Sequence, residues 1–289
     1  MAANNEIDNV SGIETTGHEW DGIKELNHPL PKWWLYVFYI SIIWSIGYWV
    51  AYPAWPMVSG YTKGVLGYSQ RATVQQNIEE ARAAQSEFNS AIDQSSLEDI
   101  QSKPELLQFA VAGGRAAFGD NCAACHGRGA QGSKGFPNLN DDDWLWGGSL
   151  DAIHQTLLYG IRANNDETRI SDMPRFGIDQ MLTDEQISEV AEYVLSIAGL
   201  DHDAAVAGRG QTIFAENCAV CHGEDGKGNT DLGSPDLTDA IWLYGSDKET
   251  IVTRIKTGGG GVMPAWSGRL NENIIKKLTL YIHSLGGGQ

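Results

Sequence analysis

The chain has 289 residues, of which 42% are hydrophobic, and its 37 acidic side chains outnumber 20 basic ones to give a formal net charge of −17. A surface this acidic repels phosphate backbones, so the charge balance excludes nucleic acid as a natural partner. The excess of negative charge is compatible with a solvated surface or with attraction of a basic protein at low salt.

A polar, acidic segment at residues 1–32 precedes an uncharged one at residues 33–52, WWLYVFYISIIWSIGYWVAY. As a helix this uncharged segment would extend about 30 Å, the thickness of the hydrocarbon core of a bilayer. Trp and Tyr lie at both ends, as at membrane interfaces, and Pro53 and Pro56 end the helix. We therefore predict a transmembrane anchor at residues 33–56 rather than a buried globular helix. A cleaved signal peptide is not expected, because no basic region precedes the apolar one.

Residues 57–107 follow the anchor, and most of this segment is polar and rich in Gln, Glu and Ala. That composition predicts a partly helical spacer, which would hold the rest of the chain away from the membrane. Basic residues are balanced across the span, with Lys24 and Lys32 before it and Lys63 and Arg71 after it. The charges alone therefore do not decide which way the anchor is oriented.

The four cysteines lie in two C-x-x-C-H motifs, NCAACHGRGA at 121–130 and NCAVCHGEDG at 217–226. A redox-active cysteine pair would leave each histidine unexplained, and a four-cysteine zinc site is disfavoured because 92 residues separate the inner cysteines. Covalent haem c fits the spacing, because one helical turn presents two thiols to one porphyrin edge. Each thiol adds to a vinyl group, and the histidine binds the iron. The predicted attachment residues are Cys122, Cys125, His126, Cys218, Cys221 and His222.

The sequence around these motifs is itself repeated. GRAAFGDNCAACHGRGAQG at 114–132 aligns with GQTIFAENCAVCHGEDGKG at 210–228 at an offset of 96 residues. Three later segments also match, among them DMPRFG at 172–177 with VMPAWSG at 262–268. A twofold repeat of about 90 residues has the size of one small domain copied once. We therefore predict two similar domains in tandem, at residues 108–200 and 201–289.

Each predicted haem iron needs a sixth ligand, and two methionines occupy matching places in the copies. Met173 and Met263 each precede a proline and are predicted as axial ligands. Met181 has no counterpart, because Arg269 stands in its place, so we expect it to fill a core. A His/Met ligand pair leaves no open position on the iron and raises its reduction potential. The pattern therefore favours electron transfer over the binding of a small molecule.

The sequence leaves open how these ligands pair. The simplest pairing joins His126 to Met173 and His222 to Met263 within each copy, but two closely packed copies could exchange loops and cross the ligands. Three further histidines lack a partner in the other copy, and we expect them to have surface or structural roles: His154, His202 and His283.

The helical pattern predicts an all-α fold. Residues 110–121 and 208–217 are predicted helices that lead into the haem motifs. Thr183 and Asn271 are predicted to cap the closing helix of each copy, and Gly199 and Gly286 to end them. Glycine-rich loops such as TGGGGVMP let the backbone pass close to a flat cofactor. The pattern is that of class I cytochrome c domains. Matching prolines, Pro137 and Pro235, are predicted to turn the chain beneath the haem, where a nearby carbonyl could orient the histidine.

The N-terminal stretch carries a resemblance to a family. HEWDGIKELNHPLPKWW at 18–34, followed by the span and YPAWP at 52–56, resembles the start of the di-haem subunit III of cbb3-type cytochrome c oxidase. His28 stands between the Asn and Pro of the family's Asn-Pro-Leu-Pro stretch, which is a small departure. The order of one anchor, a spacer and two C-x-x-C-H domains also matches. The haem motifs occur in many cytochromes, whereas the Trp-Asp-Gly-Ile stretch is specific to this family.

The resemblance implies a role in aerobic respiration. Such a subunit carries two covalent haem c groups, accepts electrons from a donor cytochrome c and passes them to a mono-haem subunit. The electrons then reach the haem–copper centre of the catalytic subunit, where oxygen is reduced and protons are pumped. The chain would thus be an electron-transfer subunit that is not catalytic alone.

Haem chemistry also predicts the topology of the chain. In bacteria, covalent haem attachment takes place outside the cytoplasmic membrane. We therefore expect a single-pass protein of the inner membrane, with residues 1–32 in the cytoplasm and both haem domains in the periplasm.

Two other functions fit parts of the pattern. A membrane-anchored di-haem cytochrome that serves another respiratory complex shares every haem motif, and only the N-terminal stretch separates it from an oxidase subunit. A di-haem peroxidase would need one haem with an exchangeable ligand. An acidic stretch in the first domain, Asp141 to Asp143, fits either a solvated surface or a docking face for a basic partner.

Overall fold

A computed structural model describes residues 6–286, and this part of the chain is mostly helical, as the sequence predicts. The first five residues of the predicted N-terminal segment and the last three of the second predicted domain lie outside the described residues. The chain divides into an N-terminal unit, residues 1–83, and a C-terminal unit, residues 84–289.

The N-terminal unit begins with a β-hairpin that the helical pattern did not predict. Strand β1, Thr15–Trp20, pairs antiparallel with β2, Ile23–Leu26. Asp21 and Gly22 connect them with φ values of 48° and 86°. An Asp-Gly pair adopts positive φ at low cost and is a strong signal for a two-residue hairpin turn.

Helix α1, Lys32–Ala51, coincides with the predicted anchor, and it is the described helix that is long and apolar enough to span a membrane. Within these 20 residues, all of them described, no side chain is buried by the rest of the chain. A second small hairpin follows, made of β3, Pro56–Met57, and β4, Gly60–Tyr61. The chain then returns to the helix end, where the amides of Val65 and Leu66 donate to the carbonyls of Val50 and Ala51. Two of the last carbonyls of α1 are satisfied in this way.

Helix α2, Gln70–Gln94, starts in the N-terminal unit and ends in the C-terminal unit. Its last turns are packed: Phe88 stacks on Phe109 with ring centroids 4.8 Å apart, and Ile92 is fully buried. Helices α3, Leu97–Gln101, and α4, Pro104–Asn121, continue this core. The part of the predicted spacer 57–107 that follows Phe88 therefore belongs to the folded C-terminal unit, because its few apolar residues are buried.

The repeated part of the chain forms the same series of elements twice. The predicted capping box is present, with Thr183 accepting from the amide of Gln186, and Asn271 accepts from the amide of Ile274. The first copy contains α4, α5 (Ala123–His126), α6 (Leu150–Tyr159) and α7 (Asp184–Ile197), and the second contains α8 (Ala204–Asn217), α9 (Ala219–His222), α10 (Lys248–Thr257) and α11 (Glu272–His283).

The closing helices are exchanged between the copies. Helix α11 packs on α4, where Phe118 and Tyr281 meet edge to face, and α7 packs on α8, where Tyr193 meets Phe214. Two hydrophobic cores result, and each mixes the copies. We name them lobe A, residues 104–161 with 261–285, and lobe B, residues 172–258. The two lobes thus do not coincide with the two sequence copies.

Equivalent glycines allow these helix pairs to approach closely. A Cβ added at Gly114 would lie 2.1 Å from the Lys277 carbonyl oxygen, and one at Gly210 would lie 2.1 Å from that of Glu189. The backbones of the paired helices are therefore in contact at the same place in each lobe.

We expect Gly210→Ala to lower the free energy of unfolding by about 1–3 kcal/mol, because the new methyl group forces α7 and α8 apart. Gly208→Ala is the matched control in the same helix. A Cβ there would have no described atom within 4 Å, so we expect unchanged or slightly higher stability. Thermal unfolding of the purified chains measures both. Equal effects of the two substitutions would contradict the close helix contact.

Candidate haem sites

Each C-x-x-C-H motif forms a single helical turn at the end of a longer helix. In lobe A, the amides of Cys125 and His126 both donate to the Cys122 carbonyl, at 3.1 and 3.0 Å. The amides of Cys221 and His222 make the same bonds to Cys218 in lobe B. This turn places two thiols and an imidazole next to one another, as attachment to one porphyrin edge requires.

The four cysteines are free thiols, and each pair lies in a different lobe. A single four-cysteine metal site is therefore ruled out by their positions. Burial, with a smaller effect of the neighbouring cysteine, raises the pKa of Cys122 and of Cys218 to about 11. Both groups are therefore protonated near neutral pH when they are not bonded to haem.

Both motif histidines are oriented by a backbone carbonyl. His126 Nδ1 lies 3.0 Å from the Pro137 carbonyl oxygen, and His222 Nδ1 lies 3.2 Å from that of Pro235. A carbonyl oxygen only accepts, so Nδ1 carries the proton and Nε2 is left as the metal-binding nitrogen. Burial lowers the pKa of both histidines, which keeps the imidazoles neutral. The predicted orienting carbonyl is that of the matching proline itself.

A glycine makes the turn that brings each proline beneath its histidine. The Gly132 amide donates to the His126 carbonyl at 2.8 Å, with φ at 68°. A Cβ there would lie 2.5 Å from the Phe136 carbonyl oxygen. Gly228 makes the same bond to His222 in lobe B.

The Met-Pro loops reach across the copies. Met263 forms a two-way backbone pair with Ile161 at 2.9 and 3.0 Å, and its side chain packs on the lobe A core that contains Cys122. Met173 accepts from the Gly259 amide at 2.7 Å and packs on the lobe B core, beside Cys218. Each predicted axial methionine thus lies with the haem motif of the other copy, which differs from the simplest pairing.

The structure also locates the other methionine and the three histidines that the sequence analysis considered. Met181 is 55% exposed, so it is not the core residue expected from sequence. The His202 ring bonds its own loop at the Leu200 carbonyl, and His283 stands in the last turn of α11. His154 is half-buried, and its Nε2 has no partner among the described residues.

A buried indole provides a test of whether haem fits. Trp144 packs on the lobe A core, and its Nε1 is buried without a hydrogen-bond partner among residues 6–286. An unpaired buried N–H costs about 1–3 kcal/mol, and a haem propionate is an acceptor that would satisfy it. At the equivalent place, Trp242 Nε1 donates to the Asp239 carbonyl at 3.2 Å. The sequence contained a signal for Trp144, because PNLNDDDWLWG at 137–147 repeats as PDLTDAIWLYG at 235–245.

Two known families match this chain, one near its N-terminus and the other along the two repeated copies. Residues 12–59 match a family described as the N-terminal domain of cytochrome oxidase-cbb3, FixP, and residues 109–194 and 205–282 match cytochrome c oxidase, cbb3-type, subunit III. The chain belongs to the subunit III family of cbb3-type cytochrome c oxidases. The resemblance found in the sequence is thereby confirmed, as is the fold class of one candidate membrane helix with two cytochrome c domains.

Relatives of subunit III match along the whole chain. A cbb3-type cytochrome c oxidase subunit FixP from Bradyrhizobium sp. (strain ORS 278) is 54% identical over 100% of both chains. Subunits CcoP from Azospirillum brasilense and Cereibacter sphaeroides are 53% and 52% identical, and they cover 99% and 95% of this chain and 100% and 95% of their own lengths. As a subunit III, the chain is a haem c-binding member of a respiratory oxidoreductase complex.

Carboxylates from both copies of this subunit III face one another. Burial first, and then the negative charges of Asp239, Asp141 and Asp236, raise the pKa of Asp143 to about 6. Asp141 and Asp239 occupy equivalent places in the two matching segments, and the Asp239 charge acts on Asp143, so the two lobes meet near this residue. The acidic stretch Asp141 to Asp143 is therefore partly turned towards lobe B.

Proposed function

We propose that this subunit III carries two covalent haem c groups and relays electrons within the oxidase. The observation that carries the proposal is the pair of one-turn C-x-x-C-H motifs, each with its histidine bound to a proline carbonyl through Nδ1. The attachment residues are Cys122, Cys125, Cys218 and Cys221. Haem supplies the one-electron couple when bound, and the chain supplies its thiols, its axial ligands and a largely apolar pocket.

The proposed axial pairs are crossed between the copies. His126 pairs with Met263 in lobe A, and His222 pairs with Met173 in lobe B. The support is packing: Met263 packs on the lobe A core that contains Cys122, and Met173 packs on the lobe B core on which Cys218 also packs. Haem iron held by a histidine and a methionine would have no open position for oxygen. The subunit is therefore not catalytic alone.

We place the subunit between a donor cytochrome c and the mono-haem subunit, which passes electrons to the catalytic haem–copper subunit. The alternative is a membrane-anchored di-haem cytochrome c of another respiratory complex. The match of residues 12–59 to an oxidase-specific N-terminal domain favours the oxidase. Purification of the intact membrane complex, with pyridine haemochrome and metal analysis, tests this. Two haem c groups in this chain and copper in the complex support the proposal, whereas a copper-free complex contradicts it.

The proposed topology is a single pass through the bacterial inner membrane with a cytoplasmic N-terminus, and α1 is the candidate span. We expect a reporter that is active only in the periplasm to work when fused after residue 289. The same reporter inserted before residue 30 should be inactive, because that segment stays in the cytoplasm. A cytoplasm-dependent reporter at the same two positions is the control. The opposite pattern would contradict the orientation.

A further inference from the structure

One of the contacts between the lobes is made by an aromatic side chain that no haem argument has used. Trp146, in lobe A, is buried to 9% exposure. Its indole lies directly on Gly233 of lobe B: a Cβ added at Gly233 would be 2.2 Å from Trp146 Cε2 and 2.3 Å from Cζ2. Gly233 has φ at 63°, so the backbone there is shaped to accept the ring.

The loop that contains Gly233 ends at the carbonyl that orients His222. Two hydrogen bonds between Asn229 and Ser234, both 3.0 Å, close residues 229–234 into a small hairpin. Pro235 follows at once, and its carbonyl lies 3.2 Å from His222 Nδ1. The indole thus supports a closed loop two residues before the atom that holds the proximal histidine.

Arg169 makes further contacts with Trp146. The Arg169 guanidinium lies over the indole, 5.3 Å from the ring centroid, and its Nη1 donates to the Trp146 carbonyl at 3.2 Å. Arg169 Nη2 also donates to Gln155 Oε1 at 2.9 Å. The indole therefore contacts both the arginine and the glycine loop.

The equivalent contact, made by lobe B on lobe A, is looser. Tyr244 of lobe B occupies the place of Trp146, but a Cβ added at Gly135 would lie 3.7 Å from Tyr244 Cε1, which is ordinary contact. There the lobes are joined instead by a backbone bond from the Gly135 amide to the Leu243 carbonyl at 2.8 Å. A tight side-chain support is present only for the His222 loop among the described residues.

We propose that Trp146 is a positioning residue for His222: lobe A holds the Pro235 carbonyl against Nδ1 and thereby sets the reduction potential of the haem in lobe B. A firm hydrogen bond at Nδ1 makes the imidazole a stronger donor and stabilises ferric iron. The inference rests on the haem attachment proposed above.

The test is Trp146→Ala in the full chain with haem bound. We expect the midpoint potential of the haem at Cys218 and Cys221 to rise, while that of the other haem stays unchanged. The two potentials are assigned with the chain that lacks Cys122 and Cys125. We also expect about tenfold faster solvent exchange of the His222 Nδ1 proton by NMR, the effect of losing one hydrogen bond of ordinary strength.

Three further variants separate positioning from a general loss of stability. Trp146→Tyr, which places here the aromatic found at position 244, should restore most of the wild-type potential, and Tyr244→Ala should leave the lobe B haem unchanged. Trp146→Leu replaces the alanine variant if that chain loses haem. A lower melting temperature with an unchanged potential and exchange rate, or equal shifts of both haems, would overturn the inference. Absence of covalent haem from the wild-type chain would instead contradict the proposed function.

Discussion

Met263→His is expected to lower the potential of the haem held by Cys122 and Cys125, and Met173→His that of the haem held by Cys218 and Cys221. Thioether sulfur favours ferrous iron, whereas a second imidazole favours ferric iron. We expect a fall on the order of 0.1 V or more, within the ~0.8 V range that axial ligands command. The assignment follows the packing of Met263 on the lobe A core and of Met173 on the lobe B core.

Turnover of the complex should also respond to the two methionine substitutions. Oxidation of reduced cytochrome c should slow in both variants, because one step of the relay becomes uphill. An artificial reductant that bypasses this subunit should still drive oxygen consumption, since the proposed function places the oxygen site in another subunit.

Met181→His is the matched control for both measurements. Its side chain is 55% exposed and belongs to neither core, so neither potential nor turnover should change. If Met263→His lowered the potential of the haem at Cys218 and Cys221 instead, the ligands would pair within each copy. Unchanged cytochrome c oxidation in both methionine variants would contradict the electron-entry role.

Cys122→Ala combined with Cys125→Ala should remove one covalent haem and leave the other. Each haem depends on the two thiols of its own turn, and the two turns lie in separate lobes. Haem staining of the denatured chain and pyridine haemochrome should both fall to about half of the wild-type value. The pair Cys218→Ala and Cys221→Ala is the symmetric control. An unchanged stoichiometry in either chain would contradict covalent haem at that motif.

The local chemistry could be predicted from the sequence because it depends on residues close together in the chain. The C-x-x-C-H turn, the Thr183 cap and the Asn271 cap each involve fewer than six consecutive residues, and the structure contains all of them. The helix that is the candidate membrane span was also predictable, since twenty consecutive uncharged residues predict one apolar helix.

The exchange between copies could not be predicted, because both pairings bury the same residue types. Gly160 beside Met263 and Gly258 beside Met173 are equivalent contacts, and a within-copy fold would use the same four residues. Sequence similarity between the copies therefore makes the two arrangements nearly equal in local energy. Packing of the last turns of α2 was missed for another reason: Phe88 and Ile92 lie on one helix face, but their packing partner Phe109 lies on another helix, beyond the reach of local pattern.

The crossed packing has a consequence for biosynthesis. Lobe B is one continuous stretch, residues 172–258, so it can close as soon as that stretch has been made. Lobe A cannot be completed until α11 has been made. Met263 leaves the ribosome 141 residues after Cys122. At the usual rate of translation this delay lasts roughly 7 to 28 s. If each motif binds haem as proposed, the second motif in the chain gains its complete pocket first, and the first motif receives its haem either before lobe A is complete or when synthesis is nearly over.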